Sequence, residues 1–260
     1  MWQTLYDLPA WGIFVLIVGT TSAGAGFVVG TAARLRGAAG RADESGVAMV
    51  IHQSLIAGYA VLLAFVTVNV WEGYQNAEAA TRAEASALAD LARVAQVMQG
   101  TDHDRLASAL KGYIHALLSI EWPSMRRGAE PPLDSPAISG LNKAIFGLEV
   151  STPREVAIFQ HIIRLDERLL DERRLRLSDA VAGIGPAVWW VLILGALLCV
   201  GSVYFFERKT LTHAAAASAV LGLMFGLFFF LIVATDYPFR GGFAIEPTQF
   251  RAVLDYLETV

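Results

Sequence analysis

Four stretches of the chain carry no Asp, Glu, Lys or Arg: Leu8–Ala33, Ser45–Val70, Ala180–Phe206 and Thr210–Thr235. Each exceeds the roughly 20 apolar residues, rising about 1.5 Å apiece, that a helix needs to cross a ~30 Å hydrocarbon core. In lipid every backbone N–H and C=O must bond internally, so runs of this kind are expected to be helices. The pattern predicts spans at about Trp11–Ala33, Val47–Val70, Pro186–Phe206 and His213–Thr235. Short links, Arg34–Gly46 and Glu207–Thr212, close them into two hairpins. Residues 1–10 contain no Lys or Arg and the first run has full spanning length, so it reads as a retained helix rather than a cleavable signal.

Between the hairpins, Trp71–Asp179 carries charges throughout, and its apolar positions recur with helical period. Trp71–Gln99 continues the second span as an Ala-rich helix, with Ala80, Ala83, Ala87, Leu91, Val94 and Met98 down one side. His103–Ile120 forms the next helix, on Leu106, Leu110, Ile114 and Leu117. Trp122–Pro136 reads as a breaker-rich loop, and Ala137–Leu148 as a short helix. At Thr152-Pro153-Arg154-Glu155 the Thr caps, the Pro suits the first helical position and the Glu completes a capping box. The helix it opens carries Ile158, Ile162, Leu165 and Leu169 on one face. A short amphipathic helix covers Pro247–Leu257. No period-two strand pattern is present.

Composition agrees: 55% of residues are hydrophobic and 17% charged, against about a quarter charged in soluble domains. A net charge of −4 gives no reason to expect nucleic acid. The single Cys199 allows no intrachain disulfide, and no Cys/His spacing points to a metal. Arg34, Arg36 and Arg41 follow a first span that no Lys or Arg precedes, which places the first link in the cytoplasm and the N-terminus outside. Arg208 and Lys209 in the second link agree, so the middle domain is expected outside the cytoplasm.

Small residues are the first candidates for function. Gly26 and Gly30, and again Gly222 and Gly226, form GxxxG pairs that let another backbone approach, within the chain or between subunits. Directly after the fourth span comes Asp236-Tyr237-Pro238-Phe239-Arg240-Gly241. A carboxylate at a membrane boundary must be solvated or paired. Arg240 or an Arg of Arg173–Arg176 could partner it, and the motif reads as a helix exit or as part of an ion path. His52 and Gln53 near the start of the second span, Asn69 near its end, and His213 are polar groups that snorkel to the interface or line a path. Trp71 and Tyr74 fit an interfacial belt. The run from Asp166 to Arg176 carries charges three and four apart, which predicts a solvated face laced with surface ion pairs. No nucleophile elbow, zinc motif, phosphate loop or dinucleotide fingerprint occurs, so an enzyme is not expected.

Two stretches carry a resemblance. One is Leu62-Leu63-Ala64-Phe65 through Asn69, Trp71 and Tyr74 to Glu84-Ala85. The other is Leu170-Asp171-Glu172-Arg173-Arg174-Leu175-Arg176-Leu177, followed by Pro186 and Trp189 and closed by Asp236-Tyr237-Pro238-Phe239-Arg240-Gly241. Together the chain resembles a bacterial membrane family described as bestrophin-like. Bestrophins are pentameric anion channels whose second helix lines the pore, so the resemblance implies a homo-oligomer and a small anion as permeant. It places Gln53, Ala57 and Val61 on the pore face, of which only Val61 is bulky and apolar. No acidic calcium-binding clasp is evident. The resemblance also implies a cytoplasmic middle domain, opposite to the charge reading.

The expectation is an all-α integral membrane protein of a bacterial inner membrane, with four transmembrane helices as two hairpins flanking a helical domain outside the bilayer. Its parts are 1–70, 71–185, 186–235 and a C-terminal segment 236–260. The pore-lining candidates are Gln53, Ala57, Val61 and Asn69. The motif candidates are Asp236, Pro238, Phe239, Gly241, Arg173 and Arg174. No cofactor or metal is expected. The leading function is an anion channel, and the alternative is a non-conducting sensor or scaffold whose helical domain binds a partner or ligand.

Overall fold

A computed structural model describes residues 8–36, 46–98, 100–203 and 211–259, and every regular element among them is helical. In chain order these are α1 (Ala10–Arg36), α2 (Gly46–Val97), α3 (Thr101–Ala116), a π-helical turn (Leu117–Glu121), α4 (Trp122–Arg126), α5 (Pro136–Phe146), α6 (Pro153–Asp179), α7 (Pro186–Ser202), α8 (Leu211–Asp236) and α9 (Thr248–Thr259). Most of the links at Arg34–Gly46 and Glu207–Thr212, and the side chain of His213, lie outside the described residues.

The helices divide into two units. The first takes α1, the start of α2 up to Glu72, α7 and α8; the second takes the rest of α2 with α3–α6 and α9. Three helices, α1, α2 and α8, are long and apolar enough to cross a membrane, one fewer than the sequence predicts. α7 is apolar but has only 17 residues, about 26 Å at 1.5 Å per residue. The predicted span continues to Phe206, and residues 204–206 lie outside the described ones.

In the first unit α1 lies antiparallel to α8. A Cβ added at Gly222 would sit 2.5 Å from the Thr21 carbonyl oxygen, and one at Gly226 would sit 2.9 Å from the Val18 Cα. Ser22 Oγ donates to the Ala219 carbonyl at 3.0 Å, and Phe14 meets Phe230 edge-to-face at 5.1 Å. Gly26 faces Ala215 and Ala219, with its added Cβ at 3.3–3.4 Å. Gly30 has more room, 3.8 Å from Ala215 Cβ. Both GxxxG pairs therefore meet in one contact, between the first apolar helix and the last. Without a hydrophobic drive in lipid, such close backbone approach supplies the van der Waals contact that holds helices together.

The second unit is built as a soluble domain is, on amphipathic helices around an apolar core. Leu88, Leu91, Leu106, Leu110, Ile114, Leu117, Ile162 and Leu169 are each fully buried there. On α2 the buried stripe runs Ala77, Ala80, Glu84, Leu88, Leu91 and Ala95, so it passes through Glu84 where the sequence reading placed Ala83. The capping box that opens α6 forms: Thr152 Oγ1 accepts the Glu155 N–H at 3.2 Å, and Glu155 accepts the Thr152 N–H at 2.8 Å. The predicted loop Trp122–Pro136 is instead helical over Trp122–Arg126. Pro123 follows directly on the π-helical turn, in a helix that continues without a break from α3.

Candidate functional site

α2 positions the pore candidates. At about 100° per residue, Gln53, Ala57 and Val61 fall within a quarter-turn of one another, and all three are exposed. Ala64 and Val68 extend the same exposed strip. Asn69 is also exposed, but lies about a third of a turn from Ala57. It does not join the line that the other three make. The opposite side of α2 is bound within the unit. Tyr59 and Leu63 are buried, and the Tyr59 hydroxyl donates to the Leu192 carbonyl of α7 at 2.6 Å. His52 Nδ1 meets Ser202 Oγ at 2.6 Å, while that hydroxyl donates to the Cys199 carbonyl at 2.7 Å. One hydroxyl proton cannot serve both, so His52 donates through Nδ1.

The motif after α8 is shared between the two units. Asp236, on the first, is 4% exposed, and its Oδ1 accepts the Ile184 N–H at 2.7 Å. It thus braces the backbone two residues before Pro186 opens α7. In the second unit the Pro238 carbonyl accepts the Ile245 N–H at 2.8 Å, closing a turn. Gly241 has φ +77°, where a side chain would be strained. Phe239 is fully buried and meets Trp122 edge-to-face at 5.3 Å. The buried Arg240 lies against Gly128, where an added Cβ would come 2.6 Å from its Nη1.

The second unit also holds a buried ionic cluster. Arg176 is fully buried: Nε donates to Glu84 Oε2 at 2.6 Å, and Nη2 to Glu84 Oε1 at 3.1 Å and Glu121 Oε2 at 2.7 Å. Arg173, 2% exposed, donates to Glu121 Oε1 from Nε at 3.1 Å and from Nη2 at 2.7 Å. Its remaining donors reach the carbonyls of Leu133 at 2.7 Å and Pro132 at 3.0 Å. The Tyr113 hydroxyl donates to Glu84 Oε1 at 2.6 Å. Arg176 further lies 5.6 Å from the Trp122 ring centre and 6.0 Å from that of Phe250.

Two arginines and two glutamates balance, so the cluster is neutral. Burial disfavours the Arg176 charge, but Glu84 and Glu121 outweigh it and push its pKa above the usual arginine range. Burial likewise raises Glu121, yet Arg176 and the hydrogen bonds from both arginines hold it below the ordinary carboxylate range. Burial first, then the Glu84 charge, push the Tyr113 hydroxyl well above its usual value.

This corrects the reading of Asp166–Arg176 as a solvated face. Asp166, Arg173 and Arg176 are buried, and Arg176 pairs with Glu84 and Glu121 instead of Glu172. The surface reading holds for Arg174, which pairs with Asp171 at 2.8 Å with both side chains over 60% exposed. Sequence reasoning missed Glu84, Tyr113 and Glu121 as partners. One signal was available: the apolar stripe Ile158, Ile162, Leu165, Leu169 on α6, continued at the same spacing, lands on Arg173 and Arg176. Among the described residues no group of three or more metal-ligating side chains gathers.

Comparison with curated proteins finds no match, and comparison with solved structures finds none either. A family model described as the bestrophin-like domain matches residues 15–250, which takes in α2, the buried arginine–glutamate cluster and the Asp236–Gly241 motif. The chain belongs to the bestrophin-like family.

Proposed function

We propose that this chain is the subunit of a homo-oligomeric anion channel in a bacterial inner membrane, with α2 as the pore wall. The observation that carries this is the state of α2 in the protomer. Only 11% of its most apolar window is buried, against 39% for α8. Its exposed strip sets Gln53 and Ala57 beside Val61, where a helix facing only lipid gains nothing from a polar amide. A ring of copies places that strip around an axis. α7, which lies within a run free of charge from Ala180 to Phe206, is taken as the fourth crossing.

The arginines of the two short links put those links in the cytoplasm and the second unit outside. A phosphatase fused after Val260 is active in that arrangement and silent in the one implied by bestrophins.

Subunit counting of the detergent-purified protein is the deciding experiment, followed by chloride flux from liposomes with Val61 and Asp236 variants. A closed ring of four or five with flux altered by Val61 supports the channel. A monomer or dimer removes the axial path. The second reading, a ligand-binding sensor, is favoured by a polar cleft of about 200 Å³ in the second unit. Tyr74, Glu78, Thr81, Arg82, Glu246 and Gln249 are among its lining residues.

A further inference from the structure

The rotation of α2 about its own axis decides which side chains it offers to a pore, and lipid-exposed backbone cannot fix that rotation. Something on the bound side must. Among the described residues that side makes polar contacts to α7 through His52 to Ser202, through Tyr59 to Leu192, and through the Leu55 carbonyl, which accepts from Cys199 Sγ at 4.0 Å.

The Tyr59 contact is the tighter fit. Its ring lies so close to Gly195 that an added Cβ there would stand 2.5 Å from Cδ2, well inside van der Waals contact. The same ring meets Phe225 of α8 edge-to-face at 5.0 Å, and its hydroxyl is anchored on a carbonyl in the middle of α7. The ring is therefore held by Gly195 along one edge, by the Phe225 ring, and at its tip by the Leu192 carbonyl. At about 100° per residue, Tyr59 is some 160° from both Ala57 and Val61, diametrically opposed to the strip.

We infer that Tyr59 and Gly195 are the positioning pair that sets the azimuth of α2 and thereby selects Gln53, Ala57 and Val61 as its pore face. The inference rests on the channel reading only in calling that face a pore. The azimuth itself is readable without conduction. Glycine is required at 195 because any side chain there drives the Tyr59 ring off α7 and turns the strip with it. Gln53 and Val61 flank Ala57 at about 40° on either side, so even a small turn makes one gain exposure at the other's expense.

The test uses the full chain with Cys199→Ser, which keeps a donor of similar size towards the Leu55 carbonyl, and one nitroxide label at a time at positions 53, 57 and 61. Collision with a water-soluble nickel chelate and with oxygen is measured in liposomes. The background carries Gly195 and Tyr59, then Gly195→Ala, then Tyr59→Phe, then Gly195→Ala with Tyr59→Leu. The single Gly195→Ala change is expected to alter the ratio of label accessibility at 53 to that at 61 by about twofold or more, a turn of a fraction of the 100° step. Tyr59→Phe moves it less, and the double variant, which removes the ring that clashes, returns it towards the starting value. Ratios equal in all four backgrounds, with helical circular dichroism showing each variant folded, overturn the inference. Failure of the channel reading looks different: oxygen, and never nickel, reaches all three positions, while the ratio still responds to Gly195→Ala.

Discussion

Arg176 and Glu84 form a two-pronged ion pair, Nε to Oε2 at 2.6 Å and Nη2 to Oε1 at 3.1 Å, with neither side chain exposed to solvent. Charges so placed are costly to bury and costlier to separate. Arg176→Met, which leaves Glu84 without its main partner, is expected to lose about 3–5 kcal/mol of stability. Adding Glu84→Gln to it should recover part of that loss, because the stranded charge is gone. Arg174→Ala, which breaks only an exposed pair, should change stability by no more than about 0.5 kcal/mol. Thermal unfolding in detergent, followed by helical circular dichroism, ranks the variants.

Glu121 gives the fold an acid limit. Its carboxyl titrates below its ordinary 4.5 in the folded chain, so the stability it adds is present above pH 4.5 and disappears as pH falls through the lower folded value. Glu121→Gln should therefore melt well below the parent at neutral pH, with the gap narrowing as the buffer is taken below 4.5. A gap that does not change with pH would assign the residue a purely steric role.

Asp166 works in the other direction. Burial, with a smaller contribution from the Glu167 charge, pushes its carboxyl from 3.8 up to about 6, and Oδ1 finds no hydrogen-bond partner among the described residues. A raised acid stabilises the fold fully below its unfolded value and loses that contribution as pH rises through the folded one. Asp166→Asn should therefore raise the melting temperature above pH 6 and make little difference below pH 3.8. Melting curves of both proteins on either side of that window check it.

Alanine at the four GxxxG glycines should be tolerated in the order Gly30, Gly26, then Gly222 and Gly226. The added Cβ meets Ala215 Cβ at 3.8 Å in the first case and Thr21 backbone at 2.5 Å in the third. Overpacking of the latter kind costs typically about 1–3 kcal/mol. A uniform effect across the four, read as heat resistance of the detergent-solubilised chain, would mean that α1 and α8 do not depend on this contact.

Helices were legible where a period could be read. The capping box at Thr152, the Ala-rich extension of α2 and the amphipathic α9 all follow from spacing alone. Partnership was not. Glu84 and Arg176 are 92 positions apart, and an arginine four residues from a glutamate looks alike on a solvated face and in a core. Charge spacing is a local quantity, whereas burial depends on which distant helix covers the residue. For the same reason the Ile184 amide, 52 positions from Asp236, could not be foreseen as its partner.

The cluster also bears on how the chain is made. Glu84 is synthesised 92 residues before Arg176, a wait of about 5–18 s at 5–20 residues per second. Phe239 and Phe250, which wall the Trp122 and Arg176 site, come only after α8 is complete. Until then the nascent unit holds glutamates that cannot be buried and an apolar core that lacks its last side. Shielding of that surface by a chaperone or insertase over those seconds is expected to raise the yield of the folded chain.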